Sequence, residues 1–553
     1  MKKILLYIFT AMMLLTGCIT NDLPYPIVVP AVTSIDVNDA VSVEIDVDKQ
    51  TVTIYLSETT DLRKVVINKV QFSEEIAVPS MNLEGVHDLT KPLKFKINTY
   101  QEYTWTLKAV RNIERYFNVD GQVGSSIIDE YNHRAVAMVS EGTDLSEITV
   151  TALKLGPRDI SEYSKELAQM KDFTDGVSID VKAFGLVEHW TLYVEETDLT
   201  VSITDVNPWT YKAYVTALGI AGKDNRFQYR QKGHSEWIDV NPEDVTADGG
   251  TFVALIKGLQ PSTVYEAVAL CGSDTSEPKE FTTDPATLIP NGSFEHVSLV
   301  LNANYYKFYD PDCGVEDGSY MFWGSGNGEG PEGVNGSANM GIIITTVDKN
   351  DKVDGKQSVC AQTSQMAGIL AAGNLFTGQF AGLVGTEGGK VNFGRPWTTR
   401  PSALKLYCKY TTGKMDIIKG SPVGVTLTND DYDRAQIKFA LGTWTPRLYG
   451  GTKDSPVHVN TTDPKTFVNF STDENTIAYG ELIINHNGYR LNGSDMVTAS
   501  TDEWCEYTIP LDYKTLDQRP THIIISCAAS QFGDYFSGCS SSKLWIDKVE
   551  LVY

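Results

Sequence analysis

The sequence lacks the motifs of several common enzyme classes. It contains no Cys-x-x-Cys pair, so a zinc ribbon or a thiol redox motif is not supported. Its eight histidines are scattered and form no His-Glu-x-x-His, and the chain has neither a Gly-x-Ser-x-Gly elbow nor a phosphate loop. These absences disfavour zinc hydrolases, serine hydrolases of the elbow type and enzymes that bind nucleotides through a phosphate loop.

Basic residues are scarce as well. The chain has 46 Lys and Arg against 71 Asp and Glu, which gives a net charge of −25. A strongly acidic protein is repelled by phosphate backbones and by anionic lipid headgroups. We therefore expect no nucleic-acid partner.

Long apolar runs are confined to the N terminus. Lys2 and Lys3 precede an apolar run at 4–15 that is too short to span a bilayer, and this order predicts a signal peptide over residues 1–17. Leu15-Thr16-Gly17-Cys18 resembles the bacterial lipobox. The resemblance implies lipidation of Cys18, a lipidated linker over 18–30, and anchoring at the outer membrane, with the protein exposed at the cell surface.

Cysteine is absent between Cys18 and Cys271, and six further cysteines follow in the last part of the chain. An oxidising compartment would permit up to three disulfides there. Cys360, Cys408 and Cys527, however, lie within apolar strand patterns, where cysteine behaves as a small hydrophobic residue. The pattern favours buried thiols over disulfides.

The patterning is that of an all-β protein, and 553 residues suggest several domains. Residues 41–47 and 51–56 alternate with period two, as half-buried strands do. Three motifs then recur in order after 83 to 85 residues, namely Thr60-Asp61-Leu62 with Thr143-Asp144-Leu145, Asp88-Leu89-Thr90 with Asp172-Phe173-Thr174, and Trp105-Thr106-Leu107 with Trp190-Thr191-Leu192. This repeat predicts two tandem sandwich domains, at 31–112 and 113–198. Both resemble the immunoglobulin-like modules of surface lipoproteins from glycan-harvesting gut bacteria.

Two further features precede the last domain. Residues Ile160, Tyr163, Leu167 and Met170 lie near helical spacing and predict a short helix. Residues 258–265, which end in Val264-Tyr265, resemble the fibronectin type III signature, whose tyrosine turns the chain at a sandwich corner. We therefore expect a fibronectin type III-like domain over 199–285.

The last domain, 286–553, is rich in glycine and aromatic residues. Its segments resemble, in order, the family called the putative carbohydrate metabolism domain: Asn291-Gly292-Ser293-Phe294-Glu295, Gly373-Asn374-Leu375-Phe376-Thr377-Gly378, Gln531-Phe532-Gly533-Asp534-Tyr535-Phe536 and Leu544-Trp545-Ile546-Asp547. The resemblance implies a jelly-roll-like β-sandwich on an exported lipoprotein. The family's activity is unsettled, so the resemblance defines the fold better than the chemistry.

Glycoside hydrolysis needs two carboxylates about 5–9.5 Å apart. Glu295, Glu481 and Asp534 are the candidate catalytic acids, since each lies on or beside a predicted strand. No Glu-x-Asp-x-x-Glu triplet places several acids on one strand face. Any single acid is more commonly solvated or turn-capping.

A structural calcium ion is the one cofactor that the sequence suggests. The first-strand segment with Glu295 and the last-strand segment with Asp547 resemble the termini of β-sandwich carbohydrate-binding modules, in which such acids help to bind calcium. Lys548 stands where the family often has a second acid, which weakens the match.

Aromatic side chains offer flat faces for sugar rings, and planar polar groups offer hydrogen bonds to hydroxyls. The candidate carbohydrate-binding residues, which lie near predicted turns, are Trp323, Trp397, Arg400 and Trp444. Trp504 and Trp545 lie in apolar patterns and are predicted to be core residues. The glycine-rich stretch 324–330 is predicted to be an acidic surface loop.

Three functions remain open. The leading hypothesis is a glycan-binding surface lipoprotein whose first three domains form a stalk. It would bind a polysaccharide or oligosaccharide and be attached to the membrane by its lipid anchor. Its expected protein partners are outer-membrane glycan-import proteins. The alternatives are a glycoside hydrolase that uses two of the named acids, and a structural or adhesive surface protein.

Overall fold

The computed structural model describes residues 29–47, 49–300, 305–309, 321–328, 335–366, 368–385, 387–422 and 425–553. The predicted signal peptide, Cys18 and all but the last two linker residues lie outside these ranges. Nearly every ordered element is a strand, so the all-β prediction is confirmed. No helix in the described part of the chain is long and apolar enough to cross a membrane.

Two compact units are present. One comprises the chain up to Leu199 together with Ile220–Gly222, and the other comprises the rest. Among the described residues, helical structure is limited to one short α-helix, α1 (Pro446–Tyr449), and to single 3₁₀ turns at Leu62–Lys64, Leu167–Gln169, Pro242–Asp244, Ser337–Met340, Pro464–Thr466 and Gly533–Tyr535.

The first sandwich has two sheets, of order β1-β4-β6 and β2-β3-β8-β7-β5. Buried apolar residues from both sheets, including Trp105, fill the space between them. The strands are Val32–Val37 (β1), Ala40–Asp46 (β2), Thr51–Leu56 (β3), Val65–Phe72 (β4), Val78–Pro79 (β5), Gly85–His87 (β6), Leu93–Asn98 (β7) and Glu102–Arg111 (β8).

The second sandwich pairs a sheet of order β10-β11-β15-β14-β13 with the two-stranded sheet β12-β9. Trp190 is fully buried in its core. The strands are Tyr116–Val119 (β9), Gln122–Asp129 (β10), Arg134–Ser140 (β11), Val150–Lys154 (β12), Glu162–Tyr163 (β13), Val177–Ala183 (β14) and Leu186–Thr197 (β15). The helix predicted after Asp159 is wrong, because these residues form β13 and a single 3₁₀ turn.

The repeated motifs make the same contacts in both sandwiches. The backbone N–H of Leu89 donates to the carbonyl of Leu62 at 2.8 Å, and that of Phe173 donates to the carbonyl of Leu145 at 2.8 Å. The strand that carries the repeated tryptophan pairs in parallel with β3 in the first sandwich and with β11 in the second. The repeat therefore reflects one shared architecture.

The third sandwich has sheets of order β16-β17-β21-β20 and β19-β18-β22-β23, with β24 on β22. The hydroxyl of Tyr265 accepts a hydrogen bond from the backbone N–H of Gln260 at 2.9 Å, which is the corner contact that the sequence predicts. The strands are Ser202–Pro208 (β16), Lys212–Leu218 (β17), Asn225–Gln231 (β18), Ile238–Asp239 (β19), Val245–Asp248 (β20), Thr251–Lys257 (β21), Val264–Cys271 (β22), Asp274–Thr275 (β23) and Lys279–Thr282 (β24).

The last domain packs two large sheets face to face. The larger has the order β37-β33-β32-β43-β36-β38-β39-β40, and the smaller has the order β28-β29-β44-β35-β41. Its strands are Val297–Val300 (β25), Tyr305–Phe308 (β26), Trp323–Gly324 (β27), Thr345–Asp348 (β28), Ser358–Gln362 (β29), Ser364–Met366 (β30), Ile369–Ala371 (β31), Asn374–Val384 (β32), Gly388–Phe393 (β33), Arg395–Pro396 (β34), Ala403–Thr411 (β35), Ala435–Gly442 (β36), Val457–Asn460 (β37), Thr476–Asn485 (β38), Gly488–Leu491 (β39), Val497–Thr498 (β40), Cys505–Pro510 (β41), Asp512–Tyr513 (β42), His522–Ala528 (β43) and Lys543–Val552 (β44).

The main core of this domain lies between the two sheets. A second, smaller cluster covers part of the outer face of the larger sheet and includes Trp444, Phe470 and Ile524. The rest of that outer face carries the groove described below.

Two sequence expectations can be checked here. The six described cysteines outside the linker are free thiols, and all of them except Cys505 are buried, as the strand pattern favours. The surface-loop prediction for 324–330 is wrong for its first half, since Ser325 and Asn327 are buried. The Asn327 side chain donates to the carbonyl of Thr345 at 2.5 Å and accepts from the backbone N–H of Ile344 at 2.9 Å. These bonds tie the segment into the sheet.

Candidate functional site

A polar groove lies on the outer face of the larger sheet. In β36, Ile437, Phe439 and Leu441 point into the core, so the alternate residues Gln436 and Lys438 point away from it. The groove has a volume of about 540 Å³ and is lined by Gln436, Lys438, Asn469, Ser471, Tyr479, Glu481, Asn492, Gly493, Asp512, Tyr513 and Lys514.

Glu481 is the most constrained acid of this groove. Its strand β38 pairs with β36 so that Glu481 is directly opposite Lys438. The amide of Gln436 donates to Glu481 Oε1 at 2.6 Å, and the hydroxyl of Tyr479 donates to the same oxygen at 3.2 Å. Burial, together with the adjacent Glu481 carboxylate, raises the pKa of Tyr479. The phenol therefore remains a hydrogen-bond donor at neutral pH.

Asn492 joins Glu481 to a second acid, Asp512. Its side-chain oxygen accepts from the backbone N–H of Glu481 at 2.7 Å, and its amide donates to Asp512 Oδ2 at 3.0 Å. Asp512 is the register partner of Tyr479, so Glu481 and Asp512 are diagonal neighbours, with about 7–8 Å expected between such positions. Sequence reasoning missed Asp512, since nothing in the local pattern marks it.

The three predicted catalytic acids do not form one cluster. Glu481 lies in the groove, whereas Asp534 lines a separate cavity. The side chain of Asp534 reaches solvent, yet the protein atoms that crowd it raise its pKa, while Lys438 opposes that rise. Glu295 instead accepts a hydrogen bond from the backbone N–H of Lys356, in the 353–356 loop.

Glu295 and Asp547 both contact the 353–356 loop, and their oxygens already have partners. Asp547 is fully buried and accepts from the backbone N–H groups of Val353 at 2.9 Å, Asp354 at 3.2 Å and Lys548 at 2.8 Å. The raised pKa of Asp547 is caused mainly by this burial.

Glu295 accepts from the backbone N–H of Lys356 through both oxygens, at 2.9 and 3.0 Å. Calcium takes six to eight oxygen ligands, whereas here amide hydrogens point at both carboxylates. Within the described ranges, no group of three or more His, Cys, Asp or Glu residues could hold a metal ion. The donor set therefore does not fit calcium, and the two acids fix the 353–356 loop.

The assignment of carbohydrate binding to four residues needs correction, because all four are buried. Trp323 donates to the carbonyl of Pro290 at 3.0 Å, and Trp397 packs against Phe322. Burial of a large apolar side chain gives a large favourable free energy of transfer from water, and the ring faces of both tryptophans are covered by protein.

The other two residues are buried at different places. Trp444 donates to Asp473 at 2.9 Å and packs on Phe470. Arg400 lies between the third and last domains, with its guanidinium over the ring of Trp209. Neither side chain is accessible to a sugar.

The prediction that Trp504 and Trp545 are core residues is wrong. Both are half-buried rather than core residues, and Trp545 lies on the outer face of the smaller sheet. Their indole N–H groups donate to Asp351 at 2.7 Å and to Asp348 at 3.0 Å.

The fold and the groove define the last domain as a two-sheet β-sandwich with a polar concavity on one outer face. Residues 293–552 match the model of the putative carbohydrate metabolism domain family. This match confirms the resemblance read from the motifs, and the last domain is a carbohydrate-related domain.

Several solved structures are similar to this chain. One is a putative glycoside hydrolase from Bacteroides thetaiotaomicron, with 13% identity over 96% of this chain and 98% of that chain and a TM-score of 0.27. Another is a putative glycoside hydrolase from Bacteroides vulgatus, with 23% identity over 48% of this chain and 97% of that chain and a TM-score of 0.32. At these identities and TM-scores, neither likeness bears on the chemistry of this chain. No curated protein matches it significantly.

Proposed function

We propose that the groove on the larger sheet binds a glycan. The observation that carries this proposal is the convergence of planar polar side chains, Gln436, Glu481 and Asn492, with the Tyr479 ring in one concavity. Sugar hydroxyls need such donors and acceptors, and sugar C–H faces pack on aromatic rings.

The charges of the groove support a neutral ligand. Glu481 accepts hydrogen bonds from Gln436 and Tyr479, Asp512 accepts one from Asn492, and the groove is also lined by Lys438 and Lys514. Two acidic and two basic side chains therefore line the same groove, together with neutral amides, and this mixture of acceptors and donors suits hydroxyl groups that both donate and accept.

Hydrolysis is the second candidate, favoured by the Glu481 and Asp512 pair. The backbone positions of the two residues are expected about 7–8 Å apart, which allows their carboxylates the roughly 6.5–9.5 Å separation of inverting glycosidases. Both carboxylates, however, already accept hydrogen bonds from neutral side chains, Glu481 from Gln436 and Tyr479 and Asp512 from Asn492. We therefore favour binding without hydrolysis.

Substitution in the groove tests this proposal. Glu481→Ala is expected to weaken glycan binding about 10-fold or more, because a hydrogen bond to a charged group contributes about 1.5–3 kcal/mol. The measurement is affinity electrophoresis of the whole protein on the polysaccharides that a glycan array identifies. Trp545→Ala, on the opposite sheet, serves as the control and should bind as the wild type does.

Two results would count against glycan binding alone. Unchanged affinity in Glu481→Ala would remove the groove from consideration. Reducing sugar released by the wild type, and lost in both Glu481→Gln and Asp512→Asn with the fold intact, would establish the hydrolase instead.

We also propose that the protein is a lipoprotein of the outer membrane, exposed at the cell surface, where it would meet polysaccharide beside glycan-import proteins. The lipobox-like Leu15-Thr16-Gly17-Cys18 supports this proposal. Cys18→Ala should abolish labelling by a lipid precursor and release the protein from the membrane fraction. Labelling and partitioning that remain as in the wild type would contradict the anchor.

A further inference from the structure

An exposed pair of aromatic side chains lies beyond one end of the glycan groove. The rings of Tyr432 and His486 stack with their centroids 3.6 Å apart and their planes within 13° of parallel. Tyr432 is 38% exposed, and His486, in the turn between β38 and β39, is exposed as well. Because the imidazole covers one face of the phenol ring, the surface that Tyr432 presents to solvent belongs to its other face and its edges.

The chain that enters β36 connects this pair to the groove. Tyr432 forms an antiparallel bridge with Lys414, so the chain is extended there. Asp433 is buried and Ile437 lies in the core. Tyr432 and Gln436 occupy alternate positions and therefore lie on the outer face. Gln436 lines the groove, and four residues of extended chain span at most about 13 Å. A few linked sugar residues cover that distance.

Two arginines lie on the outer face between the groove and the aromatic pair. Arg434 follows Tyr432 by two residues on the same face, and Arg490 lies on β39, next to β38. Because Tyr489 and Leu491 pack against the core, Arg490 faces outward. Guanidinium groups are planar and carry only hydrogen-bond donors, so they suit the hydroxyl and ring oxygens of a sugar.

A stacked pair with one open face can serve as a platform for a sugar ring. The C–H face of a sugar packs on an aromatic ring, and a ring that a neighbour already holds in place loses little freedom when the sugar binds. We propose that Tyr432 forms a second subsite for the glycan of the groove, so that the ligand is an oligosaccharide chain longer than a disaccharide. This inference rests on the proposed function, because the groove holds the other part of the same chain.

The dependence of affinity on chain length tests this proposal. The probes are a disaccharide and a hexasaccharide, both prepared by partial hydrolysis of a polysaccharide that the wild type retains in affinity electrophoresis, and calorimetry measures their binding to the whole protein. The wild type is expected to bind the hexasaccharide at least threefold more tightly than the disaccharide. Tyr432→Ala should weaken hexasaccharide binding about two- to tenfold, the effect of one aromatic contact, and leave disaccharide binding unchanged.

Two control variants should bind both sugars as the wild type does. Tyr432→Phe keeps the ring, and Tyr131→Ala removes a 93% exposed tyrosine from the second domain. The proposal is overturned if the wild type binds the two sugars equally, if Tyr432→Ala binds the hexasaccharide as the wild type does, or if it weakens both sugars equally. Failure of the groove is recognised separately, because Glu481→Ala would then leave disaccharide binding unchanged. A wild type that retains no polysaccharide would contradict both proposals.

Discussion

Arg400→Ala is expected to lower the free energy of unfolding by about 3–5 kcal/mol, because it removes a buried side chain together with its ion pair and its hydrogen bonds at the domain junction. The Arg400 side chain is 1% exposed and pairs with the 4% exposed Asp284 at 3.4 Å. Asp284 belongs to the end of the third domain, so this pair joins that domain to the last one.

The guanidinium makes several more contacts at the same junction. It donates to the Asn207 side chain and the Leu516 carbonyl, both at 2.8 Å, and to the Pro208 carbonyl at 2.6 Å. It also lies 4.4 Å from the centre of the Trp209 ring. Alanine would remove these hydrogen bonds and open a cavity over the tryptophan.

Arg519→Ala is the matched control. Arg519 bonds to the other oxygen of Asp284 at 2.6 Å, but its side chain is 49% exposed, so we expect a loss of about 1 kcal/mol or less. Calorimetric unfolding of the whole protein measures both variants. Equal losses in the two variants would show that burial of Arg400 does not govern the junction.

Asp433→Ala should destabilise the last domain by a similar amount, about 3–5 kcal/mol. Asp433 is fully buried. Its Oδ2 accepts from the hydroxyls of Ser530 at 2.6 Å and Ser542 at 2.9 Å and from the backbone N–H of Cys539 at 2.8 Å. Burial raises the pKa of Asp433, and these donors oppose the rise.

The expected loss arises because alanine would leave three donors buried without an acceptor. Asp416→Ala removes an exposed acid that makes two hydrogen bonds to Ser540, at 2.9 and 2.5 Å, and it should change the stability by about 1 kcal/mol or less. Denaturant unfolding followed by tryptophan fluorescence measures both. An Asp433→Ala variant as stable as Asp416→Ala would show that the network contributes little.

Local sequence patterns determined much of the architecture. Period-two alternation predicted the strands around β2 and β3, and the repeated tryptophan motif predicted two related sandwiches, because such patterns depend on a residue's own strand. The contact of Tyr265 at the corner of the third sandwich could be predicted for the same reason, since its partner Gln260 is only five residues away. The helix predicted after Asp159 was wrong because helical spacing of apolar residues in so short a segment does not distinguish a helix from a strand and a turn.

The site and the burial of single residues were decided by tertiary structure alone. Arg400 was predicted to bind sugar because the sequence near it shows nothing that would bury it. Its partners Asn207, Pro208 and Asp284 lie more than 100 residues away and belong to another domain. The groove forms only when β36, β38 and β42 pair, and that register is what places Glu481 beside Asp512. Alternation shows that a side chain faces one side of a strand, but only the packing of whole sheets decides whether that side meets protein or water.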